Sequence, residues 1–302
     1  MAGAGNIACA SIDGAHLDRT IGMFRWLAGR GAARREIKRT QARISTEAWQ
    51  RTVAGLPFLA GLTAQQNQAL QARAAWLLAS KSFSGAAGLE LDSDMMLSIA
   101  VQAALPILEL DTRLYEGWTE IIVYPGGFLI PRTDMDESGV VHEYVMEASG
   151  EAWEGGPVIL SWHDLARAGE GGVNVVIHEF AHKLDLYAGQ ADGMPHLGAH
   201  PHIDPRRWRL VLQRSFEWFN QALDVVEADI PADMDPESEA AAAWYDRLPL
   251  DPYAASDEAE FFAVSSEAFF VQPLALSRSL PEWYGLLVDY YRQDPVQRWL
   301  GG

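Results

Sequence analysis

The pentapeptide His178-Glu179-Phe180-Ala181-His182 restricts this chain more than any other segment. Its flanks, Val173 to Ile177 and Lys183 to Leu186, carry the apolar content of a buried helix. On a helix, two imidazoles four positions apart share one face, about one turn from each other, and can reach a single Zn²⁺. Glu179, beside the first imidazole, then stands where a general base on metal-activated water is needed. A fold that uses this segment must keep the helix buried yet leave one face open to a cleft. Gly169 to Gly172 offers a Gly-rich entry to the helix and Gly189 a C-terminal cap.

A metal held this way needs a third ligand from elsewhere. Asp257 to Phe270 reads as an aromatic-rich, buried helix capped by Ser256 or Asp257. Glu260 and Glu267 lie seven apart on it, hence on one face, and carboxylates on so apolar a segment are costly to bury unless paired or metal-bound. Glu260 is the expected ligand and Glu267 a supporting or structural acid, with a salt-bridged Glu260 and Glu267 as ligand as the alternative. Asp185 returns to the face of His178 and His182, where it would either accept from an imidazole and fix its tautomer or face water at the helix end. Tyr253, by spacing alone, reads as a core or turn tyrosine. His196, His200 and His202 fall in a Pro/Gly-containing loop, as a second metal site, a flap, or solvent-facing side chains. His142 and His163 are plausible cleft residues by chain position but have no spacing that singles them out, and His16 has none at all.

Composition narrows the setting. The 302 residues are 49% hydrophobic, enough for a substantial core in one large domain or two closely packed lobes. A formal charge of −18 disfavours a nucleic-acid or anionic-membrane partner. The single cysteine, Cys9, excludes an internal disulfide framework and suits a reducing compartment, so the cytoplasm is the expected location. Met1 to Ala15 has no apolar run of signal-peptide length. Met95 to Leu110, interrupted by Gln102 and Pro106, is too short to cross a bilayer and reads as a buried helix ending near Pro106.

Three regions are expected along the chain. Residues 1–45 form a basic leader, with Arg19, Arg25, Arg30, Arg34, Arg35, Lys38, Arg39 and Arg43, expected to be solvated and partly mobile, with docking on the protein's own acidic surface or on an acidic partner as the alternative. Residues 46–115 form a helical N-terminal lobe, with an N-cap signature at Thr63 to Gln66. Residues 116–302 form the catalytic domain. There, strands are expected at Thr119–Tyr124, Phe128–Ile130, Val140–Met146 and Pro157–Trp162, making a small sheet that leads into the His178 helix. An exposed edge of that sheet could pair with a peptide substrate.

The blocks His178 to Asp185, Asp251-Pro252-Tyr253, Glu260 to Val264 and Ser266 to Phe270 resemble the Mlc titration factor A family, bacterial zinc metallopeptidases also described as anti-repressors that bind the glucose-system repressor Mlc. Weaker similarity at Gly61 to Thr63, Leu89 to Asp92, Leu105 to Leu110 and Asp294 to Arg298 extends it over roughly residues 50–300. The catalytic segment is also similar to that of anthrax lethal factor, whose tyrosine and third-ligand glutamate are spaced as Tyr253 and Glu260 are. These resemblances imply an α+β zincin-like fold and one Zn²⁺ on His178, His182 and Glu260. They further imply general-base catalysis by Glu179, oxyanion stabilisation by Tyr253, aminopeptidase-like cleavage, and an Mlc-type repressor as partner. The basic leader and the acidic segment Ala232 to Ala243 have no counterpart in the matching blocks. Two rival readings remain: a repressor-sequestering protein whose zinc site is regulatory or vestigial, and a purely structural zinc site.

Overall fold

In the computed structural model the described residues are 30–135, 141–153, 155–166, 173–236 and 238–300. Their order is α1 (Arg30–Arg43), α2 (Thr46–Ala54), α3 (Ala64–Ser80), β1 (Ser82–Gly85), α4 (Ser93–Ala104), β2 (Glu120–Tyr124), β3 (Phe128–Met135), β4 (Val141–Ala148), β5 (Gly150–Ala152), β6 (Val158–Ser161), α5 (Trp162–Ala166), α6 (Val175–Leu186), α7 (Pro205–Ala228), α8 (Ala242–Tyr245), α9 (Glu258–Val271), α10 (Pro273–Ser279), α11 (Pro281–Tyr291) and α12 (Pro295–Leu300). The fold is a mixed α/β arrangement, mostly helical around a small sheet.

Local chemistry accounts for the helix starts. Thr63 and Gln66 close a reciprocal capping box on α3, and the Asp92 carboxylate accepts from Met95 N on α4. Asn174 Oδ1 accepts from Ile177 N at 2.9 Å on α6, and Asp257 Oδ1 accepts from the amides of Ala259 and Glu260 on α9. The helix expected over Met95 to Leu110 runs Ser93–Ala104 and stops just ahead of Pro106.

The main sheet has the order β1-β2-β6-β5. Its first three strands are parallel, with Ser82 opposite Glu120 and Ile121 opposite Val158. β5 runs antiparallel to β6, with Gly150 opposite Leu160 and Ala152 opposite Val158, and forms one edge. β6 is buried along its whole length, whereas β2 alternates buried and half-buried positions. β3 and β4 pair separately as an antiparallel ribbon.

Two parts of this layout depart from expectation. β1 lies inside the segment expected to be helical, since four residues of Ser-Phe-Ser-Gly carry too little pattern to register as a strand. It joins the same sheet as β2, and one apolar core runs from Trp49 to Tyr291, so both sheet and core cross residue 115, the boundary expected between lobe and catalytic domain. Within the leader, Arg30–Arg43 is helix α1, which turns Ile37 and Gln41 inward, with Gln41 bonded to Gln71 of α3, and exposes Arg34, Arg35, Lys38, Arg39 and Arg43. Arg19, Arg25 and the rest of the leader lie outside the described residues. So do His16 and the Gly169 to Gly172 entry.

The C-terminal helices are welded by aromatics. Phe261, Phe262, Trp208, Trp283 and Tyr290 pack edge-on and tilted around α9. Two of the polar atoms buried there find side-chain partners: Trp283 Nε1 donates to Ser265 Oγ, and Tyr291 OH donates to Ser266 Oγ. α9 is buried on nearly every side, which holds its first turn and Glu260 firmly against α6. Among the described residues no helix is long and apolar enough to cross a membrane.

Candidate metal centre

α6 and α9 face each other, and three donor atoms converge between them. His178 Nε2 and His182 Nε2 stand 3.1 Å apart, and Glu260 Oε2 lies 3.1 Å from the first and 3.2 Å from the second. Ligand atoms of a tetrahedral Zn²⁺ site with bonds of about 2.0–2.1 Å stand roughly 3.3 Å apart, so this near-equilateral triangle has the size such an ion needs. Two imidazole nitrogens and one carboxylate oxygen are also the donor types that suit it. Among the described residues this is the one group of three or more His, Cys, Asp or Glu side chains placed to hold a metal.

Behind the triangle, His178 Nδ1 donates to Glu267 Oε1 at 2.6 Å, which leaves Nε2 as the lone-pair atom aimed at the ligand position. The other Glu267 oxygen accepts from Asn174 N at 2.5 Å, and Asn174 Nδ2 donates to Gln102 Oε1 at 2.8 Å. Gln102, fully buried in α4, thus links the N-terminal helices to the site through the residue that also caps α6. Sequence reasoning passed over both residues. The available signal was an amide inside the otherwise apolar Met95 to Leu110 run, which must find a buried partner.

Burial alone would disfavour a charged His178, but Glu267 and Glu260 outweigh it and raise its pKa well above the ordinary imidazole value. For Glu260 burial pushes upward, and the hydrogen bonds with His178 and His182 more than offset it, so its carboxyl is held well below the usual range. The triangle is therefore a site of concentrated lone pairs that protons must neutralise when no cation does so.

Glu179 is 4% exposed, and burial raises its pKa to about 7 against the pull of His178 and His182. Its Oε2 has no hydrogen-bond partner among the described residues, and the side chain lines a cleft of about 550 Å³ together with the triangle. Gly150 of β5 also borders this cleft. Tyr253, on the turn Pro252–Ala255, is 44% exposed at its mouth, with its ring centroid 6.1 Å from that of His178. The arrangement juxtaposes a triangle of donor atoms of a size to hold a metal, a carboxyl with one oxygen unpartnered among the described residues, and a phenol around one opening.

The remaining candidates sit elsewhere. Asp185 is fully buried but is bonded to neither imidazole: its Oδ2 accepts from Gly193 N at 2.7 Å, and Oδ1 has no partner among the described residues. The loop after α6 folds back and takes the carboxylate, and it does so through a glycine at φ 72° whose absent Cβ would meet Glu258 O at 2.5 Å. Burial raises the Asp185 pKa to about 7. His196 is exposed against Tyr187, His202 is exposed, and His200 is buried against Tyr290, so the three do not converge on a metal site. His163 is exposed beside Asp164, and the side chain of His142 lies outside the described residues.

A family model described as glucose-regulated metallo-peptidase M90 matches residues 30–292, which include every residue of the triangle. The chain belongs to this family. Proteins named Mlc titration factor A are similar to it over most of its length. That of Serratia proteamaculans is 36% identical over 252 residues, covering 83% of this chain and 88% of the relative. That of Pectobacterium atrosepticum is 34% identical over 262 residues, covering 86% and 91%. Membership in the M90 family identifies the chain as metallopeptidase-like, and the His178, His182 and Glu260 group supplies the place where a metal fits.

Proposed function

We propose that this M90 family member is a zinc-dependent metallopeptidase of the gluzincin type, with a zincin-like domain built on α6, α9 and β5. The observation that carries this reading is the triangle of His178, His182 and Glu260 donor atoms, 3.1–3.2 Å on each side, open to a cleft that also holds the partnerless Glu179 carboxyl. Three protein ligands leave one position for water, which disfavours a purely structural site. When bound, zinc supplies Lewis acidity to the scissile carbonyl and lowers the pKa of water.

The chain's own residues do the rest. Glu267 holds the His178 ring in the tautomer that presents Nε2. Glu179, with its pKa pushed to about 7, takes a proton from the attacking water onto a carboxylate oxygen and delivers it to the leaving amine. Tyr253 donates its hydroxyl hydrogen to the oxyanion from the cleft mouth. β5, the antiparallel edge strand that borders the cleft, receives the peptide backbone by strand addition. Aminopeptidase-like trimming in the cytoplasm is the corresponding assignment.

A second reading rests on the relatives' shared name: the chain also captures an Mlc-type repressor, through a surface independent of the chemistry. Both are separated by one variant. In Glu179→Gln we expect metal content unchanged, hydrolysis of chromogenic aminoacyl and peptide substrates lowered by about 10²–10⁴-fold, and repressor capture intact. Equal hydrolysis by wild type and variant would overturn the assignment of Glu179 and with it the peptidase reading.

A further inference from the structure

The face of α6 that carries Glu179 also carries Lys183, one turn further on, and both contact the same short strand and its turn. Lys183 is 3% exposed. Its ammonium donates to the carbonyl of Trp153 at 2.5 Å and to that of Gly156 at 2.9 Å, the two ends of the tight turn between β5 and β6. That turn is closed by its own Gly156 N to Trp153 O bond, and the ammonium stands 4.9 Å from the Trp118 ring centroid. One turn earlier, Glu179 occupies the space beside Gly150: a Cβ there would lie 2.2 Å from Glu179 Oε1 and 2.7 Å from its Cδ. β5 is thus fixed to α6 at its start by a missing side chain and at its end by a buried ammonium.

A buried ammonium is costly to desolvate, and here two carbonyl oxygens offset that cost. What methionine cannot do is bind two carbonyl oxygens at once and so fix the height of a strand. β6 holds one side of β5, while the other side of β5 faces the cleft. The same turn also presents Trp153, 41% exposed on the cleft rim. The β5 backbone and the Glu179 carboxyl are therefore registered to each other through one helix face.

We infer that Lys183 is a positioning residue for substrate: by clamping the Trp153–Gly156 turn to α6, it holds the β5 edge at the level where a paired peptide presents its scissile bond to Glu179. This rests on the peptidase reading above. It predicts that Lys183 matters to substrates long enough to pair with β5 and not to those too short to reach it.

The test compares metal-loaded wild type, Lys183→Met and Lys183→Arg in two measurements. Hydrogen exchange read by mass spectrometry should show amides of residues 150–156 exchanging about tenfold faster in Lys183→Met, the scale expected for loss of charged hydrogen bonds, with one metal per chain retained. In kinetics, KM for a tetrapeptide amide should rise about tenfold at near-constant kcat, while a single-residue aminoacyl chromogenic substrate is unaffected. Lys183→Arg, whose guanidinium can also span two carbonyls, should restore most of both. Lys183→Gln carries the same expectation as Lys183→Met and replaces it if the latter does not fold. Unchanged exchange, or equal losses on long and short substrates, would overturn the inference. Wild type that hydrolyses neither substrate sinks the peptidase reading instead, and exchange alone then decides whether the clamp exists.

Discussion

Two faces of α6 make an instructive contrast. The face toward α9 gathers His178 and His182 with Glu260 and Glu267, partners 78 to 89 residues away in sequence, into a cluster of imidazole and carboxylate lone pairs. The face toward β5 carries Glu179 and Lys183, and its one strong cation is already matched by two carbonyl oxygens. One face offers a place where a metal fits, and on the other the ammonium already has its partners as folded while Glu179 faces the cleft. Substitutions on the first should therefore register in metal affinity, and those on the second in substrate handling with the metal in place.

The largest effect should come from taking a ligand away. His182→Ala should weaken zinc binding by on the order of a hundredfold or more, measured by competition with a chromophoric chelator. The same face predicts a stability linkage: at metal concentrations about a thousandfold above the wild-type Kd, bound metal contributes about 4 kcal/mol to wild type and about 1.4 kcal/mol to a variant that binds about a hundredfold more weakly, so chelation should lower the Tm of wild type about three times as far as that of His182→Ala. If Lys183→Met lost metal as His182→Ala does, the separation of the two faces would fail.

A smaller effect sharpens the contrast within the α9-facing cluster. Glu267→Gln keeps the size of the side chain but weakens the charge-assisted bond to His178 Nδ1, and it should cost about 10–100-fold in zinc affinity in the same competition. Affinity equal to wild type would mean that Glu267 serves only the Asn174 backbone.

The smallest effect concerns Asp185, which periodicity places near the ligands and the fold assigns to the loop. Burial raises its folded pKa to about 7, so between roughly pH 4 and 7 the native state keeps a proton that the unfolded chain has released. That stabilisation is lost as pH rises through 7. Asp185→Asn does not titrate, and its stability relative to wild type should shift steadily in its favour from pH 4 to about pH 7 and level off above that in thermal melts. A pH-independent difference would show that the Asp185 carboxyl is not desolvated as described.

Legibility in the sequence follows the same division. The two histidines and Glu179 were readable because helical spacing alone puts them in register, and Glu260 and Glu267 because acids on an apolar helix demand partners. The start of α3 and the end of α4 were readable from the capping box at Thr63 to Gln66 and from Pro106. Lys183 was not, since a lysine in a helix usually reaches solvent, and only the placement of the Trp153–Gly156 turn makes this one a buried donor. Asn174 and Gln102 depend on the approach of α4 to the start of α6, a tertiary event with no local signal beyond a lone amide in an apolar run. Asp185 goes the other way: helical period points it toward the ligands, but the return of Gly193 decides its partner.

Anomalous diffraction at the zinc edge from crystals of the purified protein tests the centre of the account most directly. The expected result is one peak per chain within about 2.0–2.2 Å of His178 Nε2, His182 Nε2 and a Glu260 carboxylate oxygen, with a further position open toward Glu179. A peak seated on other residues, or a fourth protein side chain filling the open position, would contradict it.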